Sequence, residues 1–191
     1  TDTKEAVNTS PKQTAKSKDT SSSKEKIDTS AVKTQELVIN TDNNSGKKKK
    51  SSSSKGPTTI TISSMGDCTL GTDESFDQST SFNAYYNEYG ADYFFKNVRS
   101  ILEADDLSVV NFEGTLTEET SRADKTFAFK GPAKYTDILT GSSVEAANIA
   151  NNHSKDYGTK SQEDTIKNLS NAGIATFGYE NVVVVDVKGI K

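Results

Sequence analysis

Three short segments carry side chains able to do chemistry. The first is Met65-Gly66-Asp67-Cys68-Thr69-Leu70-Gly71, a carboxylate in a loop bracketed by glycines. The second is Val110-Asn111-Phe112-Glu113-Gly114, an amide and a carboxylate at the end of an apolar run. The third is Ala150-Asn151-Asn152-His153-Ser154-Lys155-Asp156-Tyr157-Gly158, which holds the only histidine of the chain. Carboxylate, amide and imidazole are the ligand types of hard or borderline divalent metal ions. Two such ions about 4 Å apart clamp a phosphoryl group and activate water. Asp67, Glu113, Asn152 and His153 are the set whose convergence would make a site, with Asn111, Asn151 and Asp156 as polar company.

Each residue also has a plain structural reading. Asp67 can cap a glycine-rich turn, and Glu113 can be a turn carboxylate before Gly114. Asn152 can hold a tight loop, because Asn tolerates left-handed geometry. Asp156 can cap a helix starting near Thr159, and a lone His is often a hydrogen-bonded structural residue. The functional reading rests on all of them falling at the ends of strands.

The elements that must position them follow from hydrophobic periodicity. Strands are expected at residues 58–62, 107–112, 144–149, 174–177 and 182–187, with a short one at 126–129. A helix is expected at 91–104, where Phe94, Phe95, Val98, Ile101 and Leu102 make one apolar face. A helix at 133–139 opens after Pro132, and another at 159–172 closes on Gly173. Residues 72–90 read as a long excursion with a helical turn at 82–89. Strands alternating with helices predict an α/β layered fold with a largely parallel sheet. In such sheets the carboxyl ends of the strands line the ligand crevice, and all three segments follow strands.

Composition divides the 191 residues in two. Residues 1–56 hold 12 Lys against 7 Asp or Glu and no aromatic residue, while 57–191 hold 11 Lys or Arg against 20 Asp or Glu. The first part cannot bury enough apolar surface to offset the entropy of ordering its backbone, so it reads as a disordered Ser/Lys-rich tether. Its Lys47–50 run lacks interleaved Arg or aromatics, which argues against nucleic acid as a partner. The single Cys68 excludes an internal disulfide, and no apolar run reaches the roughly 18 residues of a membrane span. Thr1 in place of Met, and a turn at 188–191 leading toward another strand, set the expectation of a chain cut at both ends. That expectation puts a membrane anchor upstream and leaves Val187 at an exposed sheet edge.

The three segments, with Thr115-Leu116-Thr117 after the second and Asn171-Ala172-Gly173-Ile174 and Gly178 later, resemble in order and spacing the bacterial CapA family, the poly-γ-glutamate capsule synthesis proteins. The resemblance covers about residues 58–191. It implies a calcineurin-like metallophosphoesterase fold and a role in making, exporting or anchoring an anionic capsule polymer outside a bacterial cell. By that analogy Asp67, Glu113 and Asn152 are candidate ligands of divalent manganese, iron or zinc, His153 is the catalytic candidate beside them, and Asn111 supports them. The implied partners are poly-γ-glutamate and membrane synthase or export subunits. Thr69 stands where such enzymes carry a metal-binding His, and no His follows His153. A metal-dependent hydrolase and a non-enzymic polymer-binding scaffold therefore both remain open, and these residues are expected to hold half of such a site, inactive alone.

Overall fold

The computed structural model describes residues 33–39 and 56–191. Its centre is a four-stranded parallel sheet of β2 (Ile62–Cys68), β3 (Leu107–Phe112), β6 (Ala146–Asn148) and β7 (Ala175–Phe177), in that spatial order. Each of the first three strands is followed by a crossover to the next, the arrangement that parallel pairing requires. α1 (Phe82–Tyr89), α2 (Asp92–Phe95) and α3 (Arg99–Leu102) join β2 to β3. The β3–β6 crossover holds the two-residue strands β4 (Thr115–Leu116) and β5 (Lys130–Gly131), which pair in parallel, and α4 (Thr136–Thr140). α5 (Gly158–Asn171) joins β6 to β7. The α/β class read from the sequence is the class observed.

The core sits on one face of the sheet. Along β3, Ser108, Val110 and Phe112 are buried while Leu107, Val109 and Asn111 are half-buried, the period-two alternation of a strand with unlike faces. Val110, Phe112 and Ala147 meet Leu102, Ile138, Leu139 and Leu169 from α3, α4 and α5 in one cluster. Burying each such large side chain contributes about 1.5–3 kcal/mol. α5 ends as expected at Gly173, which takes φ +83°. Its N–H donates to Ser170 O and that of Ile174 to Leu169 O, the paired bonds that satisfy a helix's last carbonyls.

Four sequence expectations shift. The first strand is Ile62–Cys68, not 58–62, because its partner β3 sets the register, pairing Ile62 with Leu107 and Asp67 with Asn111. Thr58 to Thr61 have the composition of a strand but join no ladder; Thr61 instead gives its N–H to the Asp106 carboxylate and accepts the Asp106 N–H on its carbonyl. The helix expected at 91–104 is two short ones. Phe94 stacks on Phe82 of α1 at 4.3 Å while Leu102 enters the main core, leaving Val98 and Ile101 exposed. The strand expected at 126–129 forms instead at Lys130–Gly131, since the amides of Ala128 and Phe129 are taken by carboxylates of Asp73 and Asp156. Finally, β8 (Asn181–Val187) belongs to a two-stranded sheet that covers one of its edges. It pairs in parallel with β1 (Lys33–Ile39), within the segment read as a disordered tether. Leu37-Val38-Ile39 is too short to build a core but long enough to hydrogen-bond a valine-rich strand. The rest of that tether reading lies outside the described residues.

Asp73 closes the fold at a point no periodicity marks. Its fully buried carboxylate accepts from Ser75 N (2.8 Å), Ser75 Oγ (2.7 Å), Ala128 N (2.6 Å) and Arg122 Nη2 (2.8 Å). Burial pushes its pKa up, but these donors outweigh burial and hold it well below the ordinary carboxylate value. A lowered pKa gives stability that is present above the unfolded value near 3.8 and is lost as pH falls through the folded one. Asp73→Asn is expected to cost about 3–5 kcal/mol at neutral pH, as when one partner of a buried pair is removed. It should also flatten the acid limb of the stability curve. Urea midpoints of both proteins between pH 2 and 7 measure this, and an unchanged acid limb would exclude the role given to Asp73.

Candidate functional site

The ends of β2, β3 and β6 bring Asp67, Asn111, Glu113 and the 150–157 loop together. Asn111 is the hub. Its Nδ2 donates to Asp67 Oδ1 (2.7 Å) and to Glu113 Oε2 (3.3 Å), and its Oδ1 accepts from Asn148 Nδ2 (2.9 Å) and Asn151 Nδ2 (3.0 Å). One amide thus uses both ends to fix two carboxylates and two neighbouring amides. Asn151 also donates to Phe112 O (2.8 Å), and its Oδ1 accepts the His153 backbone N–H (3.0 Å). That second bond folds the loop so that the imidazole turns inward. Gly178 allows the loop to start where it does, because a Cβ there would stand 2.6 Å from the Ala150 Cβ.

His153 lies between two acidic groups. Nδ1 is 2.7 Å from Asp156 Oδ2, and Nε2 is 3.6 Å from Glu113 Oε1. Asp156 is fully buried and does not cap α5. Besides the imidazole it takes Lys125 Nζ on Oδ1 (2.7 Å) and Phe129 N on Oδ2 (2.6 Å). Lys125 Nζ also donates to Asn152 O (2.9 Å) and lies 3.3 Å from His153 Nδ1. Because Asp156 Oδ2 is an acceptor, the short Nδ1 contact places the ring proton on Nδ1. In the neutral ring Nε2 is then the acceptor, and it faces Glu113. The Phe129 ring, 4.7 Å from the imidazole centroid, holds the other face.

The two carboxyls ahead of Nε2 are paired. The Asn111 amide first, and then Glu113, hold Asp67 below its ordinary pKa. Burial first, and then Asp67, push Glu113 above its own. The two carboxyls therefore titrate as a coupled pair, with Asp67 the stronger acid and Glu113 the weaker. The weaker acid of the pair is the one that faces the imidazole, 3.6 Å from Nε2.

The expected site residues are thus placed unequally. Asp67, Asn111, Asn151, His153 and Asp156 form one network with Glu113, but the Asn152 side chain is exposed and only its carbonyl joins, through Lys125. The metal expectation meets a donor set that does not fit an ion unaided. Among the described residues no group of three or more His, Cys, Asp or Glu is placed to hold one. Asn111 turns N–H toward both carboxylates, its carbonyl oxygen is consumed by two amides, and burial pushes the Cys68 thiol up to about 12. Sequence reasoning missed Lys125, Phe129 and Asn148. Asn148, a polar residue within Ala146-Ala147-Asn148-Ile149-Ala150, carried a visible signal. Lys125, 31 positions from Asp156, carried none.

The family described as "Bacterial capsule synthesis protein PGA_cap" matches residues 61–190, which include all three strand-end motifs. The chain is 27% identical over 143 residues to the capsule biosynthesis protein CapA of Bacillus anthracis. That match covers 69% of this chain and 33% of the relative, so the chain spans about a third of the length of the curated relative it matches.

Two measurements test the site. Long-range ¹⁵N–¹H spectra of the single imidazole in its neutral form are expected to show the proton on Nδ1; the opposite tautomer would remove the Asp156 pairing. A raised pKa means that Glu113 gives stability present below the unfolded value of 4.5 and lost as pH rises through the folded one. Glu113→Gln should therefore raise the unfolding midpoint near pH 7 and leave it unchanged near pH 4. An equal shift at both would rule out a raised Glu113 pKa.

Proposed function

The chain belongs to the bacterial capsule synthesis family PGA_cap, and on that footing we propose that it serves the synthesis, export or anchoring of an anionic capsule polymer, poly-γ-glutamate, at the bacterial cell surface. The observation that carries the reading is the meeting, at three strand ends inside the matched span, of an oriented imidazole with two carboxyls bridged by Asn111. The role that suits His153 is proton transfer to or from a bond of the polymer or its precursor, with Asp156 and Lys125 as positioning residues. The partners that suit such a protein are the polymer and membrane synthase or export subunits. No helix among the described residues is long and apolar enough to cross a membrane, so the membrane attachment in this reading lies outside them.

A second reading, a polymer-binding scaffold without chemistry, is favoured by Thr69 in the position of a metal-binding His and by a donor set that does not fit an ion unaided. A divalent manganese, iron or zinc ion belongs only to the metal-dependent hydrolase version.

The experiment is complementation of a capsule-forming strain that lacks its own homologue, with the full-length protein and with His153→Ala. Polymer is measured as extracted cell-surface glutamate, at equal protein abundance. The wild type should restore polymer, and His153→Ala should lower it by about a hundredfold or more, the usual loss of a general acid or base. Full polymer from His153→Ala would reject the proton-transfer role and favour the scaffold. No polymer from the wild type would reject the capsule reading itself. Metal analysis of the same purified proteins tests the hydrolase version.

A further inference from the structure

Tyr179 holds a backbone conformation that its side chain disfavours. Gly178 and Asn181 exchange both backbone hydrogen bonds at 3.0 Å, so Tyr179 and Glu180 make the two-residue turn from β7 to β8. Tight turns of this kind ask for a positive φ at their first central residue, which Gly, Asn or Asp ordinarily supplies. Here a tyrosine takes φ +51°, a strained position for a bulky residue. Burial does not offset the strain, because Tyr179 is 53% exposed. What the position provides is reach for the phenolic hydroxyl.

That hydroxyl lies on the loop that carries His153. Its oxygen is 2.8 Å from Ser154 Oγ and 3.3 Å from Asn151 O. Ser154 is buried and gives its own hydroxyl proton to Asn151 O at 2.7 Å. The Tyr179 proton is then the one that closes the contact, donated to Ser154 Oγ. Lys155 Nζ stands 5.6 Å over the Tyr179 ring, within the reach of a cation–π contact. Asn151, Ser154 and Lys155, on both sides of His153, therefore all meet this one side chain. Asn151 is fixed from two directions. Its side chain binds Asn111, Phe112 O and the His153 N–H, and its carbonyl is gathered by Ser154 and Tyr179.

We propose that Tyr179 is a positioning residue for His153: its hydroxyl latches the 151–154 turn from outside and keeps Nε2 on Glu113. The strained turn is what carries the hydroxyl to that loop. For polymer formation this role rests on the proton-transfer reading of His153; for the geometry of the imidazole it does not. Tyr179→Phe, which keeps the ring and its magnetic effect and loses only the hydroxyl, is the deciding variant. Ring ¹H, ¹³C and ¹⁵N resonances of His153 in the full chain should shift or broaden by exchange in Tyr179→Phe. Tyr179→Gly, which also releases the positive φ, should unfold no earlier than the wild type. Imidazole resonances of Tyr179→Phe equal to those of the wild type overturn the proposal, and with a lowered unfolding temperature they make Tyr179 a structural staple alone. In the complementation assay Tyr179→Phe should lower polymer about three- to tenfold, the worth of one hydrogen bond. Added to His153→Ala it should lower polymer no further, because a residue that acts through another adds nothing once that one is gone. The same loss repeated in the double variant places the effect elsewhere and overturns the proposal. No polymer from the wild type rejects the capsule reading, and the imidazole spectrum still decides the role of Tyr179.

Discussion

Two buried aspartates grip consecutive peptide groups. Ala128 N donates to Asp73 and Phe129 N to Asp156, at 2.6 Å each, from opposite sides of a segment that has no regular structure of its own. A backbone N–H away from water must find an acceptor. Here a charged side chain supplies what a strand ladder would otherwise supply, and charge-assisted bonds of this kind are the stronger ones. Each carboxylate is balanced by a cation from the same segment, Arg122 for Asp73 and Lys125 for Asp156. Residues 122–129 are therefore held as one piece, by two charge pairs that cannot be loosened singly without leaving a buried charge unpaired.

The cluster at the strand ends inherits its geometry from that clamp. Asp156 can orient His153 only because Lys125 and Phe129 already fix both of its oxygens. The Phe129 ring then closes the imidazole against rotation. From the sheet side, Asn148 and Asn151 fix Asn111, and Asn111 fixes Asp67 and Glu113. Two networks, one rooted in a loop and one in the sheet, meet in the 3.6 Å gap between Nε2 and Glu113. Preorganisation of this kind keeps a proton-transfer geometry in place before any substrate arrives.

The sequence showed these networks unevenly, for physical reasons. Strand and helix order followed from periodicity, and the three motifs fell at strand ends because parallel sheets place loops there. Asp67, Asn111, Glu113 and His153 were legible on that ground. The clamp was not. Asp73 reaches Ala128 across 55 positions and Lys125 reaches Asp156 across 31, and no local pattern records such a meeting. The pairing of β1 with β8 was hidden for a different reason. Judging residues 1–56 by whether they could bury a core of their own left out a strand that needs only a partner's backbone.

The Asn151-Asn152 pair shows how far residue type can go before geometry decides. Both amides suit a ligand or a hub, and the resemblance favours the one next to the histidine. The turn reverses that choice. For His153 to point inward, its own N–H must be bonded to the side chain two residues back, the short-range bond that Asn forms readily in a tight turn. That places the Asn151 amide against Asn111 and Phe112 and leaves the Asn152 side chain in solvent. Asn152 then contributes its carbonyl, which holds Lys125 on the Asp156 side. Each asparagine thus ties the loop to a different network, Asn151 to the sheet and Asn152 to the clamp. The two cannot exchange roles without turning the imidazole away from Glu113.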